Sequence, residues 1–326
     1  MRDVADHAGV SPMTVSRALR DDPQVSSEKK ARVLEAVNAL GYRRNDVARN
    51  LRLGRSSGVI GVVVPNLANP FYAQVALGVE AAAAERGARV MIGNSGGDVA
   101  HERQLIQDFA SRRLEGVVAV PTGTDVRLDD ARLSGLRVVL GGSPPAGADI
   151  DCVLLDDFGG TLEATRHLIR QQHRRIAFLG LHAAVWTGSE RFRGYCAALE
   201  EAGIEVEDRY VVRQQPDVAA AERATLGLLE LDEPPTALFA ANNRNTVGAY
   251  RAIFRSKAET VLAGFDDFEL ADMLALPLTV VAVDAQDMGV QAANLLFDRL
   301  DSDAGEEPVV PRRVVIPARV VDYGSS

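Results

Sequence analysis

Val4-Ala5-Asp6-His7-Ala8-Gly9-Val10-Ser11-Pro12-Met13-Thr14-Val15-Ser16-Arg17 carries the spacing around which the rest of the chain is organised. Ala5 is small where two helices must cross closely, Gly9 permits the tight turn between them, and Val15 anchors the second helix on the first. Ser11 suits the N-cap of that second helix and Pro12 its first position. The pattern is that of a helix-turn-helix, whose second helix offers its N-terminal side chains to the major groove of DNA. A plain helical hairpin with a glycine turn is the alternative. It would have no need of the polar outward face formed by Thr14, Ser16 and Arg17.

Working outward, the first 58 residues hold three helical patterns (Asp3–Ala8, Ser11–Leu19 and Ser26–Leu40, the last stopped by Gly41) and no strand-like run. Residues 45–53 form a weaker helical segment, and Gly54-Arg55-Ser56-Ser57-Gly58 reads as a linker. From Val59 onward the pattern changes. Short β-branched runs, from Val59–Val64 to Val280–Val283, alternate with amphipathic stretches such as Phe71–Arg86, Leu162–Gln171, Glu190–Glu201, Thr246–Arg255 and Gln286–Leu300. That alternation predicts parallel sheets covered by helices on both faces. About ten strands exceed one comfortable sheet, so two α/β subdomains are expected, with a ligand crevice at the carboxyl ends of their strands.

The 326 residues carry a net charge of −9 and 47% hydrophobic side chains, enough for sizeable cores. Charge is uneven: residues 1–58 hold eleven Arg/Lys against seven Asp/Glu, and the remainder 25 against 38. A basic head on an acidic body is the asymmetry of a nucleic-acid-binding module on a carrier. No run of ~18 apolar residues predicts a membrane span, and no apolar leader follows Met1, so a cytoplasmic, nucleoid-associated protein is expected. Cys152 and Cys196 make neither a disulfide framework nor a zinc set, and the five histidines have no metal-ligand spacing. The carboxylate pairs Asp156-Asp157 and Asp266-Asp267 stand at strand ends, but no nucleophile elbow, phosphate loop or dinucleotide fingerprint accompanies them. No catalytic residue, metal or cofactor is expected.

The run Asp3–Leu19, with Val25-Ser26, Leu40-Gly41-Tyr42, Asn45 and Val47-Ala48-Arg49-Asn50-Leu51, resembles the LacI/GalR family of bacterial transcriptional regulators. The resemblance continues through Gly61–Asn66, Asn69-Pro70-Phe71-Tyr72, His173–Gly180, Glu190–Tyr195, Pro235-Thr236-Ala237 and Gly264–Asp267, spanning nearly the whole chain in order. It implies an all-α helix-turn-helix headpiece (1–44), a hinge helix and linker (45–58), and an α/β periplasmic-binding-protein-like core of two parallel-sheet subdomains (59–323). The N-subdomain would take 59–155 and 285–312, and the C-subdomain 156–283 and 313–323, with crossings near 156, 284 and 313.

Carried over by position, the resemblance places Pro12, Met13 and Arg17 where the family reads bases. Arg17 could bond guanine bidentately, while Met13 offers only apolar contact. Thr14, Ser16 and Asn45 would hold phosphates or fix register, and Arg49 would add backbone contact. Leu51 matches the wedge that opens a base step in the minor groove. Phe71, Tyr72, Trp186, Arg191, Asn242 and Asp266 would line the effector pocket. Operator DNA of pseudo-palindromic sequence, a small effector and a homodimeric mate are the implied partners, with no membrane. No leucine heptad follows Val320-Val321-Asp322-Tyr323, so a dimer rather than a tetramer is expected.

The chain also departs from the pattern. Met1 stands at the apolar position that follows a capping Thr or Ser in the family, the cap itself is missing, and losing an N-cap costs ~1 kcal/mol. Asn243 replaces an Asp, Gly141-Gly142 an Asp-Arg pair, Pro216 an aromatic and Val283 a Gln. The retained Arg191 suggests an anionic or polyhydroxylated metabolite, and the losses suggest one less hydroxylated than a hexose. The alternative, a solute-binding protein or ligand sensor without a DNA role, would lack residues 1–58.

Overall fold

The computed structural model describes residues 1–19, 22–41, 58–123, 135–145, 150–215, 217–302 and 310–324, in two compact units, Met1–Ser57 and Gly58–Ser326. The expected hinge helix and most of the linker lie outside the described residues.

The first unit is helical. α1 (Arg2–Ala8) starts at Met1 with no side-chain cap and stops at Gly9, whose φ of 61° is the left-handed conformation that favours glycine. α2 (Pro12–Ala18) is capped by Ser11, whose hydroxyl accepts the Thr14 N–H at 3.1 Å. α3 is Ser27–Ala39. Val4, Ala5, Ala8, Val15, Ala18, Val25, Val33 and Ala36 form the buried centre of the three. The short alanines allow the close crossing that the sequence spacing demands.

The second unit holds two six-stranded sheets. The first comprises β1 (Val59–Val64), β2 (Arg89–Asn94), β3 (Gly116–Ala119), β4 (Arg137–Gly141), β5 (Cys152–Leu155) and β11 (Arg313–Ile316), in the order β11-β5-β4-β3-β1-β2. The second comprises β6 (Ile176–Leu179), β7 (Val211–Val212), β8 (Ala237–Ala240), β9 (Val261–Phe265), β10 (Leu278–Val283) and β12 (Ala318–Tyr323), in the order β12-β10-β9-β8-β6-β7. Every pairing is parallel except β10 with β12. Near-continuous burial of β3, β5, β6 and β8 follows from coverage on both faces.

Helices α4 (Pro70–Glu85), α5 (Val99–Ser111) and α10 (Ala285–Asp301) pack on the first sheet. Helices α6 (Asp157–Arg170), α7 (Trp186–Glu201), α8 (Val218–Leu229) and α9 (Asn243–Ser256) pack on the second. α4 and α10 meet backbone to backbone. A Cβ on Gly78 would fall 2.0 Å from the Gln286 carbonyl oxygen, and one on Gly289 2.1 Å from that of Val75.

Two sequence expectations need correction. The third crossing is not near 313: Arg313–Ile316 pairs with Cys152–Leu155 in the first sheet, and the chain crosses at Pro317. The N-subdomain therefore includes 313–316, and the C-subdomain resumes at β12. Proline has no N–H for a ladder and a fixed φ, so it divides a β-branched run that periodicity alone leaves whole. The helices expected at Leu162, Glu190 and Thr246 begin earlier, at Asp157, Trp186 and Asn243. Their first turns carry little apolar periodicity because polar side chains and glycines make up most of them.

Candidate functional site

On the headpiece, Pro12, Met13 and Arg17 stand exposed on α2, and Thr14 and Ser16 are half-buried. Met13 is 62% exposed, a large apolar side chain without a core to enter. The Thr14 hydroxyl lies 2.9 Å from that of Ser11 and so belongs to the cap as well as to the outward face. Arg17 Nε is 3.9 Å from an Asp22 carboxylate oxygen, a loose surface pair worth little against a phosphate or a base edge. Asn45, Arg49 and Leu51 lie outside the described residues.

In the core, Phe71, Tyr72, Trp186, Arg191, Asn242 and Asp266 all line one cavity of about 70 Å³ between the subdomains, room for a handful of waters. Each is delivered by the start of a helix or the end of a strand. The Asn69 side chain caps α4, accepting the Phe71 N–H at 3.1 Å, and this sets the rings of Phe71 and Tyr72 edge to face at 5.3 Å. α7 opens with Trp186 and turns Arg191 inward. Asn242 caps α9 by accepting the Asn245 N–H at 2.8 Å. Asp266 follows β9 with a φ of 66°, a left-handed conformation that an Asp tolerates better than most residues and that turns its side chain out of the strand direction. Gly142 lines the same cavity, where the replaced Asp-Arg pair would have stood.

Arg191 is buried and engaged through two of its three nitrogens. Its Nε donates to Asp157 Oδ1 at 2.7 Å and its Nη1 to the Ala241 carbonyl at 2.6 Å. Asp266 Oδ2 lies 3.6 Å from Nη1, and the guanidinium carbon sits 3.5 Å from the centre of the Phe265 ring. Two carboxylates thus share one cation. Burial pushes the Asp157 carboxyl up to about 6, against the pull of Arg191, and nearby Asp266 and Glu190 push the same way. Burial raises Asp266 as well. Burial disfavours the Arg191 charge, but the two aspartates outweigh it and the guanidinium is held above its ordinary value. Burial, with Asp266 adding, pushes the Tyr72 hydroxyl up to about 12. Asp157 Oδ2, Asp266 Oδ1 and Asn243 Oδ1 are buried acceptors without a hydrogen-bond partner. Such atoms cost ~1–3 kcal/mol each until something donates to them.

Sequence reasoning missed Asp157 and Asn69 as members of this site, and treated Asn243 only as a departure from the family pattern. Asn243 Nδ2 donates to Asn69 Oδ1 at 2.7 Å, a buried bond from the second subdomain to the first. The signals were present: the Asp156-Asp157 pair after a strand run, Asn69 before Pro70, and an Asn where the family pattern carries an Asp. Among the described residues no group of His, Cys, Asp and Glu is placed to hold a metal ion, and no helix is long and apolar enough to cross a membrane.

Residues 1–45 match the family described as bacterial regulatory proteins, lacI family, and residues 57–323 match the periplasmic binding proteins and sugar binding domain of that family. The chain belongs to the LacI family. Catabolite control protein A of Priestia megaterium is 29% identical over 320 residues, covering 96% of each chain. A transcriptional regulator solved as a CelR–cellobiose complex is 30% identical, covers 98% of this chain and 97% of its own, and superposes with a TM-score of 0.73. The lac repressor dimer shares the fold at a TM-score of 0.81 over 98% of this chain and 96% of its own, with 23% identity. This LacI-family member is a DNA-binding transcriptional regulator and not an enzyme.

Proposed function

We propose that the chain is a cytoplasmic, nucleoid-associated repressor that binds a pseudo-palindromic operator as a homodimer and is switched by a small metabolite of sugar type in the interdomain cleft. The observation that carries the switch is the convergence of Phe71, Tyr72, Trp186, Arg191, Asn242 and Asp266, spread over nearly two hundred residues of sequence, on one cavity. The cellobiose named for the CelR relative supports a sugar-sized ligand there. Pro12, Met13 and Arg17 read bases, Thr14, Ser16, Asn45 and Arg49 contact the backbone, and Leu51 wedges a base step. A nine-residue hinge over 45–53 is marginal as an isolated helix, so small changes in the spacing of two linkers decide whether it forms on DNA. Exposed Leu77 and Ile92 on the first subdomain support a mate that covers them.

Selection from a random duplex pool, followed by anisotropy titration, tests this reading. Enrichment of one pseudo-palindromic sequence, bound at a stoichiometry of two chains, is the expected result. Failure to enrich any sequence over the starting pool overturns it.

A further inference from the structure

The ligand cleft has the wrong electrostatics for an anion. Arg191 is the one cation lining the inner cavity among the described residues, and its Nε and Nη1 are held by Asp157 and the Ala241 carbonyl with the Phe265 ring against its face. An anionic ligand would meet that single guanidinium beside two carboxylates, one of them seated on it at 2.7 Å and the other 3.6 Å away. The two aspartates paired with that guanidinium keep unmet acceptors, Asp157 Oδ2 and Asp266 Oδ1, on residues no more than 5% exposed, and Asp266 lines the cavity. They call for donors, and the two carboxylates against one guanidinium call for positive charge.

The surroundings repeat the sign. Phe71 and Asp266 also line a second, larger chamber of about 840 Å³ beside the crossings at Asp284 and Pro317. Its further charged lining is Asp267, Glu269, Asp272 and Asp284 against Arg319 alone. One Asp267 oxygen accepts the Tyr323 hydroxyl at 2.8 Å, and Asp284 caps α10, so neither is offset by a cation of its own. Low-dielectric walls concentrate such a field at the cleft and attract cations to it.

We infer that this cleft selects a cationic, amine-bearing ligand, with its ring against Phe71, Tyr72 and Trp186 and its nitrogen donating to the free oxygen of Asp266. The inference rests on the cleft being the effector site. A neutral polyol would satisfy the acceptors and leave the excess charge standing.

Matched triads test the inference on the full chain: glucosamine, glucose and glucuronate, together with cyclohexylmethylamine, cyclohexylmethanol and cyclohexanecarboxylate. Each is titrated by calorimetry and thermal shift at neutral pH. The expected result is that within at least one triad the amine binds tenfold or more tighter than its neutral parent, that neither carboxylate binds, and that added salt weakens the amine. The amine preference should fall severalfold in Asp266→Asn. It should fall less in the exposed-surface variant Asp272→Asn, which keeps the reading testable if the buried variant does not fold. A carboxylate or neutral member binding best, or no amine binding at all, overturns the inference. Operator affinity measured alongside separates the two readings. An amine that binds without altering operator affinity removes its effector role and leaves the ligand class standing. A carboxylate that binds and does alter operator affinity does the reverse.

Discussion

In the two halves of the core the strands follow one order, β2-β1-β3-β4-β5-β11 in the first and β7-β6-β8-β9-β10-β12 in the second, yet the halves give the cleft different chemistry. The first half contributes Phe71, Tyr72 and the Asn69 amide, side chains that pack or bond without charge. The second contributes Asp157, Arg191 and Asp266, a charged set closed upon itself over the Phe265 ring. Shared topology therefore fixes where a ligand can sit, while one half alone fixes the sign of charge it should carry. The two halves also differ in their last strand: β11 joins its sheet parallel and β12 antiparallel, because the chain reverses at Pro317 and passes from one sheet to the other.

The comparison breaks most visibly at Arg191. Replacing it with alanine strands two buried carboxylates, and removing one partner of a buried pair costs ~3–5 kcal/mol. Urea unfolding of Arg191→Ala should show that loss even without ligand. Phe71→Ala, on a half-buried ring of the uncharged half, should cost distinctly less. Comparable losses in the two variants would mean that the charged set does not organise its half.

Next in size is the headpiece, where the decisive groups are exposed rather than mutually engaged. Arg17→Ala should weaken the selected operator by ~1–3 kcal/mol and relax preference at one base pair, with core melting unchanged. Arg49→Ala, by contrast, should weaken specific and random DNA alike and flatten the salt slope by about one. Equal losses on operator and random DNA for Arg17→Ala would remove it as a base reader.

These two regions were unequally legible in the sequence. The headpiece was readable because its signals are local: Gly9, Ser11 and Pro12 set a turn and a cap within four residues, and Val15 finds α1 close by. The alternation of strands and helices gave two α/β layers for the same reason. The membership of Phe71, Trp186, Arg191 and Asp266 in one site came from family resemblance, since nothing local links residues so far apart. What stayed hidden was the internal pairing. That Arg191 would be occupied by Asp157 depends on α6 beginning at Asp157 rather than Leu162, and polar first turns at a crevice conceal a helix from hydrophobic periodicity. The division at Pro317 was missed because β-branched residues on either side read as one run.

A smaller effect probes the joint between the halves. Asn243 Nδ2 donates to Asn69 Oδ1, which also accepts the Phe71 N–H, so Asn243→Ala removes the bond between halves without uncapping α4. The net value of one such bond is about 1 kcal/mol. Small-angle scattering of the ligand-free chain should show a larger radius of gyration for Asn243→Ala. Asn69→Ala should add a loss of helix capping to the same opening. An unchanged radius would mean that other contacts hold the halves together.

The subtlest expected effect is a pH dependence centred on the Asp157 carboxyl of the second half. Burial raises the Asp157 carboxyl to about 6, with Arg191 opposing and Asp266 adding, whereas in the unfolded chain it returns to about 3.8. The native protein therefore holds this proton more tightly than the unfolded one. The group weakens the fold above pH 6, and that penalty is relieved as pH falls through 6 towards 4. Asp266 is raised by burial and acts in the same direction. His173 is lowered by burial, so acid works against the fold there. A bare stability profile mixes these opposing contributions, and the informative quantity is the difference between the wild type and Asp157→Asn, which keeps an acceptor for Arg191 Nε and cannot titrate. Between pH 7.5 and pH 5.5 the urea midpoint of the wild type should gain on that of the variant. Phe71→Ala, carrying no titrating group, should run parallel to the wild type over the same window. Parallel curves for Asp157→Asn would place its carboxyl in the ordinary range, ionised across the window, with Arg191 fully offsetting its burial.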